Sequence, residues 1–438
     1  MKYYLAIDIG ASSGRHIVGW QEDCEIMTEE VYRFPNGMVK RDGHLVWDVE
    51  ELFTQVKAGI RAAFSRYPKI ESLSIDTWGV DYVLMRGENE VMPAYAYRDY
   101  RMDEAIPLVH GIIPEKEIYA RTGVMFNTFN TIYQLYSDKL MGRLDGVTDF
   151  LMMPEYLMYK LTGNKVKEFT DASTTALLNA KTREFDSYVF EKLGLPASLM
   201  APLYQPGAVV GELKSEIANE VGGNLTVVLC ATHDTGSAVE AIDMETLSPY
   251  ISSGTWSLLG VKTDELITDE TSRLSGYSNE GGVGYNRYQK NITGMWIIQS
   301  LKKELCPDIS FDGIVELAKA SGYSEIFDVN DKAFLAPDSM KTAIIEYFKE
   351  RGKTPPVTDG DLFSSAYHSL AYGYKVAIED LERNTGRAYP EIYIVGGGAK
   401  NRHLNALTEE YTGKRVVALP IEATAIGNLK CQIRRNSK

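Results

Sequence analysis

Residues 1–20 read MKYYLAIDIGASSGRHIVGW, an apolar run that passes into a carboxylate, Asp8, and then into the small residues Gly10, Ala11, Ser12, Ser13 and Gly14. Asp is disfavoured inside strands, and a buried carboxylate is costly unless something compensates it. A strand, a glycine turn and a returning strand (Ile17 to Trp20) make a hairpin whose turn exposes backbone N–H groups and serine hydroxyls. Such turns cradle phosphate, and an Asp beside a triphosphate is suited to Mg²⁺, a hard cation that prefers oxygen and keeps several waters. The plainer role for Asp8 is to stabilise the turn itself.

The same pattern recurs. Ile251-Ser-Ser-Gly-Thr-Trp-Ser257 aligns without gaps on Ile7-Asp-Ile-Gly-Ala-Ser-Ser13, and each is followed by another apolar strand-like run. Two such turns would suit successive phosphates of one nucleotide. A third glycine element, Ile392 to Val395 running into Gly396, Gly397 and Gly398, precedes a helix with Leu404, Leu407 and Tyr411 on one face, then Gly413 and another strand. It imitates a dinucleotide fingerprint, but Asn401 stands at the third glycine position, which argues against a dehydrogenase. Gly352-Lys353-Thr354 imitates a phosphate loop, yet Pro355-Pro356 follows where a helix must start.

Between these elements, strand-like runs (Ile75, Val83, Val227 to Ala231, Val416 to Leu419) alternate with helical ones. Phe363, Leu370, Tyr374, Ile378 and Leu381 recur at helical spacing before a stop at Gly386. The expected fold class is α/β. The 438 residues suffice for two or three domains. A net charge of −14, from 46 basic and 60 acidic residues, argues against nucleic acid as a partner. No signal-peptide pattern or long apolar run is visible, so neither secretion nor a membrane is expected, and a cytoplasmic setting is. Four dispersed cysteines and six unpaired-in-spacing histidines give no disulfide framework and no zinc motif.

VVLCATHDTGSAVEAI (227–242) puts Asp234 after a strand and at a helix start, where open α/β folds place ligands. Its structural role would be an N-cap; its chemical role would be a base for a sugar hydroxyl. In SIDTWGVDYVLM (74–85), Asp76, Trp78, Gly79 and Asp81 suit sugar binding, although aromatic residues in such a strand are more often core.

IDIGASSGR, IDTWGVD, AYRDYR, FNTIYQLY, MPEYLMYKLTG, THDTGSAV, SSGTWSL, KNITGMW and VGGGAKN occur in an order that resembles the FGGY carbohydrate kinases over residues 3 to 428. The resemblance implies two actin-like, ribonuclease-H-like α/β domains flanking a nucleotide and sugar cleft, divided here at 1–245 and 246–438. It implies ATP as co-substrate with Mg²⁺ near Asp8, nucleotide contacts at Ala11, Ser12, Ser13, Gly14, Arg15, Thr255, Gln299 and Gly397, and sugar contacts at Gly79, His233, Asp234, Thr235 and Asn291. Asp234 is the implied base and a small ketose the implied acceptor: L-rhamnulose at its 1-hydroxyl, with L-fuculose, xylulose or a related sugar as alternatives. A monomer or homodimer is expected. From another class, an actin-like or Hsp70-like ATP-driven binding protein shares paired phosphate loops. After Gly427-Asn428 the chain turns polar where the family continues apolar, so a terminal helix is expected to be missing and second-domain apolar surface to be uncovered.

Overall fold

Tyr4–Ile9 (β1) is buried at every position, and its alternation divides the residues between two faces. Leu5, Ile7 and Ile9 join the apolar cluster built with helix α1 (Val49–Arg66). Tyr4 and Ala6 point the other way, to Ala425 and Leu429 of helix α6 (Ala423–Arg435). Asp8 shares the parity of Tyr4 and Ala6 and so belongs to the α6 face. In the computed structural model, the described residues are 1–243, 248–335, 337–419 and 422–435.

The chain forms two compact units. The first takes Met1–Asp243, Thr263–Tyr288 and Glu422–Lys438, and the second Met244–Lys262 and Gln289–Ile421. The division expected near residue 245 follows chain order, whereas compactness assigns 263–288 and the C-terminal segment to the first unit.

In the first unit, β1 pairs antiparallel with β2 (Ser13–Glu22), which continues antiparallel into β3 (Glu25–Pro35). On its other side β1 pairs in parallel with β4 (Ser72–Thr77), with Asp8 opposite Asp76. Strands β5 (Val209–Glu212) and β6 (Thr226–Val228) complete the order β5-β6-β4-β1-β2-β3. Helix α2 (Asp234–Glu240) follows β6.

The C-terminal stretch is helical where the sequence turns polar. Residues 429–435 continue helix α6, with Leu429 and Cys431 buried, and the helix covers the first unit, not the second. Burying a leucine contributes roughly 1.5–3 kcal/mol. Among the polar residues of this stretch Gln432 is a buried partner, and Asn428 just before it is another. Gln432 donates to the Leu5 carbonyl (3.0 Å) and accepts from Ser72 Oγ (2.7 Å), and Asn428 Nδ2 donates to Asp76 Oδ2 (2.6 Å). Gly427 permits the crossing with α2, since a Cβ there would come within 1.7 Å of the Ser237 carbonyl oxygen.

In the second unit, β7 (Tyr250–Ser253) pairs antiparallel with β8 (Trp256–Thr263) and in parallel with β9 (Glu391–Val395), which pairs in parallel with β10 (Arg415–Ala418). The first unit repeats this scheme strand for strand: β1 for β7, β2 for β8, β4 for β9 and β6 for β10. The weak repeat in the sequence therefore corresponds to a repeat of topology. Helices α3 (Trp296–Leu305), α4 (Asp359–Thr385) and α5 (Arg402–Thr412) accompany the second sheet. Helix α4 begins on a Thr358–Asp361 capping box, buries Phe363, Leu370, Tyr374, Ile378 and Leu381, and ends at Gly386 (φ 65°). The helix before the phosphate-loop mimic ends at Glu350, with Gly352 at φ 65°, so no helix starts there.

Candidate functional site

The first hairpin closes through Gly10 N donating to the Ser13 carbonyl (2.9 Å), and Asn36 Nδ2 holds the Gly10 carbonyl from outside (2.8 Å). Ile9 pairs with Gly14, leaving residues 10–13 as the turn, with Ser12 exposed and Ala11 and Ser13 partly so. Gly14 lies against Phe34, whose ring would be 2.1 Å from a Cβ.

Asp8 finds its compensation in Arg15, directly across the hairpin: Nε donates to Oδ2 at 2.9 Å and Nη2 lies at 2.8 Å. The same guanidinium reaches Glu422, just before α6. Burial nevertheless raises the Asp8 pKa, opposed by Arg15 and assisted by the charges of Asp234 and Glu422. Asp76, beside it on β4, is raised well above the carboxylate range by burial and then by the Asp8 charge, while Asn428 pulls the other way. Asp76 Oδ1 has no hydrogen-bond partner. Two buried carboxyls side by side, one with an orphaned oxygen, are a donor set that fits a divalent cation.

The end of β4 joins the loop before α2: Thr77 bridges to His233, and Thr77 N donates to the Thr232 carbonyl at 2.9 Å. Beneath that loop sits Glu168, fully buried, accepting from Thr232 N (3.2 Å) and Oγ1 (2.7 Å) as well as from Thr170. The N-cap of α2 is His233, so the N-cap role considered for Asp234 is not the one observed. Asp234 is the first helical residue, and its Oδ1 accepts from Thr235 N and from Thr235 Oγ1 (3.1 Å). Its side chain remains 33% exposed among buried neighbours. Gly79 is buried close by, where a Cβ would meet Thr174 Oγ1 at 3.0 Å and Asp171 Oδ1 at 3.3 Å. The charge of Asp234 acts on both Asp8 and Asp76. The first unit thus gathers Asp8, the 11–15 turn, Gly79, His233, Asp234 and Thr235 around one end of its sheet.

Trp78 and Asp81 belong to the core. Asp81 Oδ2 accepts from the indoles of Trp47 (2.6 Å) and Trp78 (3.0 Å) and from Tyr97 N (3.1 Å), and Oδ1 accepts from Gln134 (3.0 Å). Burial still pushes its pKa up to about 6.

In the second unit, the turn after β7 is Gly254-Thr255-Trp256, one residue shorter than its counterpart, because Ser253 pairs with Ser257. Helix α3 starts on it: Met295 N donates to the Gly254 carbonyl (2.9 Å) and Trp296 N to that of Thr255 (3.1 Å). The β9 glycines close against the same place. Gly396 has φ 83°, and a Cβ on Gly398 would come within 1.9 Å of Ser253 Oγ. Gly397 faces open space. Thr255, Gln299 and Gly397 are exposed, and the turn, the start of α3 and the β9 glycines meet at the end of β7. Asn291, also exposed, lies on the strand Asn286–Thr293 of this second part of the chain.

Sequence reasoning missed Asn428 and Glu168. Each acts through a partner tens to hundreds of residues away, and neither stands in a spacing pattern. Among the described residues, no cluster of three or more His, Cys, Asp or Glu is arranged for a metal, and no helix is long and apolar enough to cross a membrane.

The profile of the N-terminal domain of the FGGY family of carbohydrate kinases matches residues 3–239, and that of the C-terminal domain residues 249–435. A rhamnulokinase of Oceanobacillus iheyensis is 40% identical over 433 residues, covering 98% of this chain and 92% of the relative. One from Bacillus subtilis is 40% identical over 437 residues, covering 98% and 90%. Among solved structures, a ligand-bound xylulose kinase from Lactobacillus acidophilus superposes with a TM-score of 0.84 at 14% identity, over 100% of this chain and 90% of that one. Plasmodium falciparum glycerol kinase with ADP gives 0.79 at 15% identity, over 100% and 90%. At these identities the superpositions speak for the fold alone.

Proposed function

The chain belongs to the FGGY family of carbohydrate kinases, and from that premise we propose that it transfers the γ-phosphoryl group of ATP to O1 of L-rhamnulose, giving L-rhamnulose 1-phosphate and ADP. The substrate is taken from the relatives, which carry that activity in their names over nearly the whole chain. One observation carries the chemistry: Asp234 presents a partly exposed carboxylate at the start of α2, within the field of two buried carboxyls.

Asp234 accepts the proton of the 1-hydroxyl as that oxygen bonds to the γ-phosphorus and the bond to the β-phosphate oxygen breaks. Gly79, His233, Thr235 and Asn291 hold the ketose. Ala11, Ser12, Ser13, Gly14 and Arg15, with Thr255, Gln299 and Gly397, contact the nucleotide. Asp8 would hold Mg²⁺, directly or through its waters, and Asp76, its neighbour on β4, could share that role. The cation, when bound, neutralises charge on the phosphates. Arg15 keeps its charge between Asp8 and Glu422 and so limits the repulsion among the carboxyls. A cytoplasmic setting, where ATP is supplied, suits this reading.

The test is coupled ADP release by the purified chain with Mg²⁺ and ATP, offered L-rhamnulose, L-fuculose, L-ribulose, D-xylulose and glycerol in turn. The highest kcat/KM is expected for L-rhamnulose. Preference for another sugar would replace the substrate and keep the mechanism. ATP turnover that ignores every sugar would favour an ATP-driven binding protein.

A further inference from the structure

Behind His233 stands a buried cation that neither the motifs nor the proposed chemistry uses. Arg287 has no exposed surface, and its Nε donates to the Gly281 carbonyl at 2.7 Å. Its Nη2 lies 3.2 Å from Glu280 Oε2 and 3.1 Å from His233 Nδ1. A guanidinium only donates, so the ring nitrogen facing it must offer a lone pair. A neutral imidazole with a bare Nδ1 carries its hydrogen on Nε2. That atom lies 3.5 Å from Asp234 Oδ1. In the competing tautomer Nδ1–H would turn to Glu280 Oε2 at 3.5 Å, and that hydrogen would be driven against the nearer Arg287 N–H.

We propose that Arg287 is a positioning residue that locks His233 in its Nε2–H tautomer, so that the imidazole presents a donor on the Asp234 side, to an acceptor oxygen of the bound ketose. The inference rests on the ketose-kinase reading for its purpose, though not for its geometry. Glu280 holds the guanidinium in place and offsets its charge, which lets a cation sit behind the ring.

The deciding experiment is ¹⁵N NMR of the full chain labelled at histidine, at about pH 8, above the ordinary histidine range, with His233→Gln used only to assign the signals. A pyridine-like Nδ1 and a hydrogen-bearing Nε2 are expected. The reverse tautomer would overturn the proposal. In Arg287→Met the His233 signals should move to a tautomer mixture, and kcat on the preferred ketose should fall about 10–100-fold with KM for ATP unchanged. Arg287→Lys, which keeps one donor and the charge, should restore the Nε2–H signature and part of kcat. It also serves as the working variant if Arg287→Met does not fold. An unchanged tautomer and unchanged kcat in Arg287→Met would overturn the proposal. If the wild-type chain phosphorylates no ketose, the functional reading falls while the NMR still decides what Arg287 does to His233.

Discussion

The two glycine hairpins share one topology and almost nothing of their chemistry. At the end of β1 stand the buried Asp8 and Asp76, with Arg15 partly buried between Asp8 and the exposed Glu422. At the end of β7 the positions aligned with Asp8 and Ile9 are Ser252 and Ser253, and the turn itself is Gly254-Thr255-Trp256, without an ionisable side chain. A repeated scaffold thus supplies two similar turns, and the first carries a carboxylate and a guanidinium where the aligned residues of the second, Ser252 and Leu259, are uncharged. Phosphoryl transfer needs charge at the reacting oxygens and only positioning along the rest of the nucleotide. The account therefore puts acid–base work in the first unit and neutral contacts in the second.

The comparison breaks most severely at Asp234. Asp234→Asn keeps the shape and removes the base, so kcat should fall about 10²–10⁴-fold with the circular dichroism spectrum and Tm unchanged; steady-state kinetics beside a thermal melt checks it. Near-wild-type turnover would move the base elsewhere.

The second hairpin is sharpened by two neighbouring glycines. Gly398→Ala would drive a methyl into Ser253 Oγ and should cost about 1–3 kcal/mol of stability, seen as a lower denaturation midpoint. Gly397→Ala meets open space, so stability should hold while KM for ATP rises several-fold. Equal losses of stability in both would remove Gly397 from the nucleotide contacts.

The smallest effect tests the core beneath the charged side. Burial holds Asp81 at about 6 and Glu155 at about 7, both above their unfolded values. Raised carboxyls favour the native state most below the unfolded pKa, near 4, and that contribution is lost as pH rises through 6 to 7. Asp81→Asn should therefore flatten the fall of Tm between about pH 4 and pH 6. A slope identical to wild type would assign the pH dependence to other groups.

Local order was legible where it rests on nearby residues. The hairpin at Gly10 follows from an apolar run broken by small residues, and helix α4 follows from its periodicity and the stop at Gly386. The C-terminal stretch reads as polar because of Lys430, Gln432, Arg434 and Arg435, whereas it continues helix α6 with Gln432 bonded to Ser72 and the Leu5 carbonyl. Polarity in sequence does not reveal that a partner waits across hundreds of residues. The compensation of Asp8 by Arg15 lay within the quoted stretch, seven residues away, and only the hairpin register made it visible. Glu280 and Arg287 reach His233 through the fold alone.

The most direct test of the division of labour is calorimetric titration of ADP into the wild-type chain and into Asp8→Ser, which copies the residue at the aligned position 252, with and without Mg²⁺. The account predicts that the substitution abolishes the Mg²⁺-dependent gain in affinity and leaves metal-free ADP binding intact. Retention of that gain, or an equal loss of metal-free binding, would contradict it.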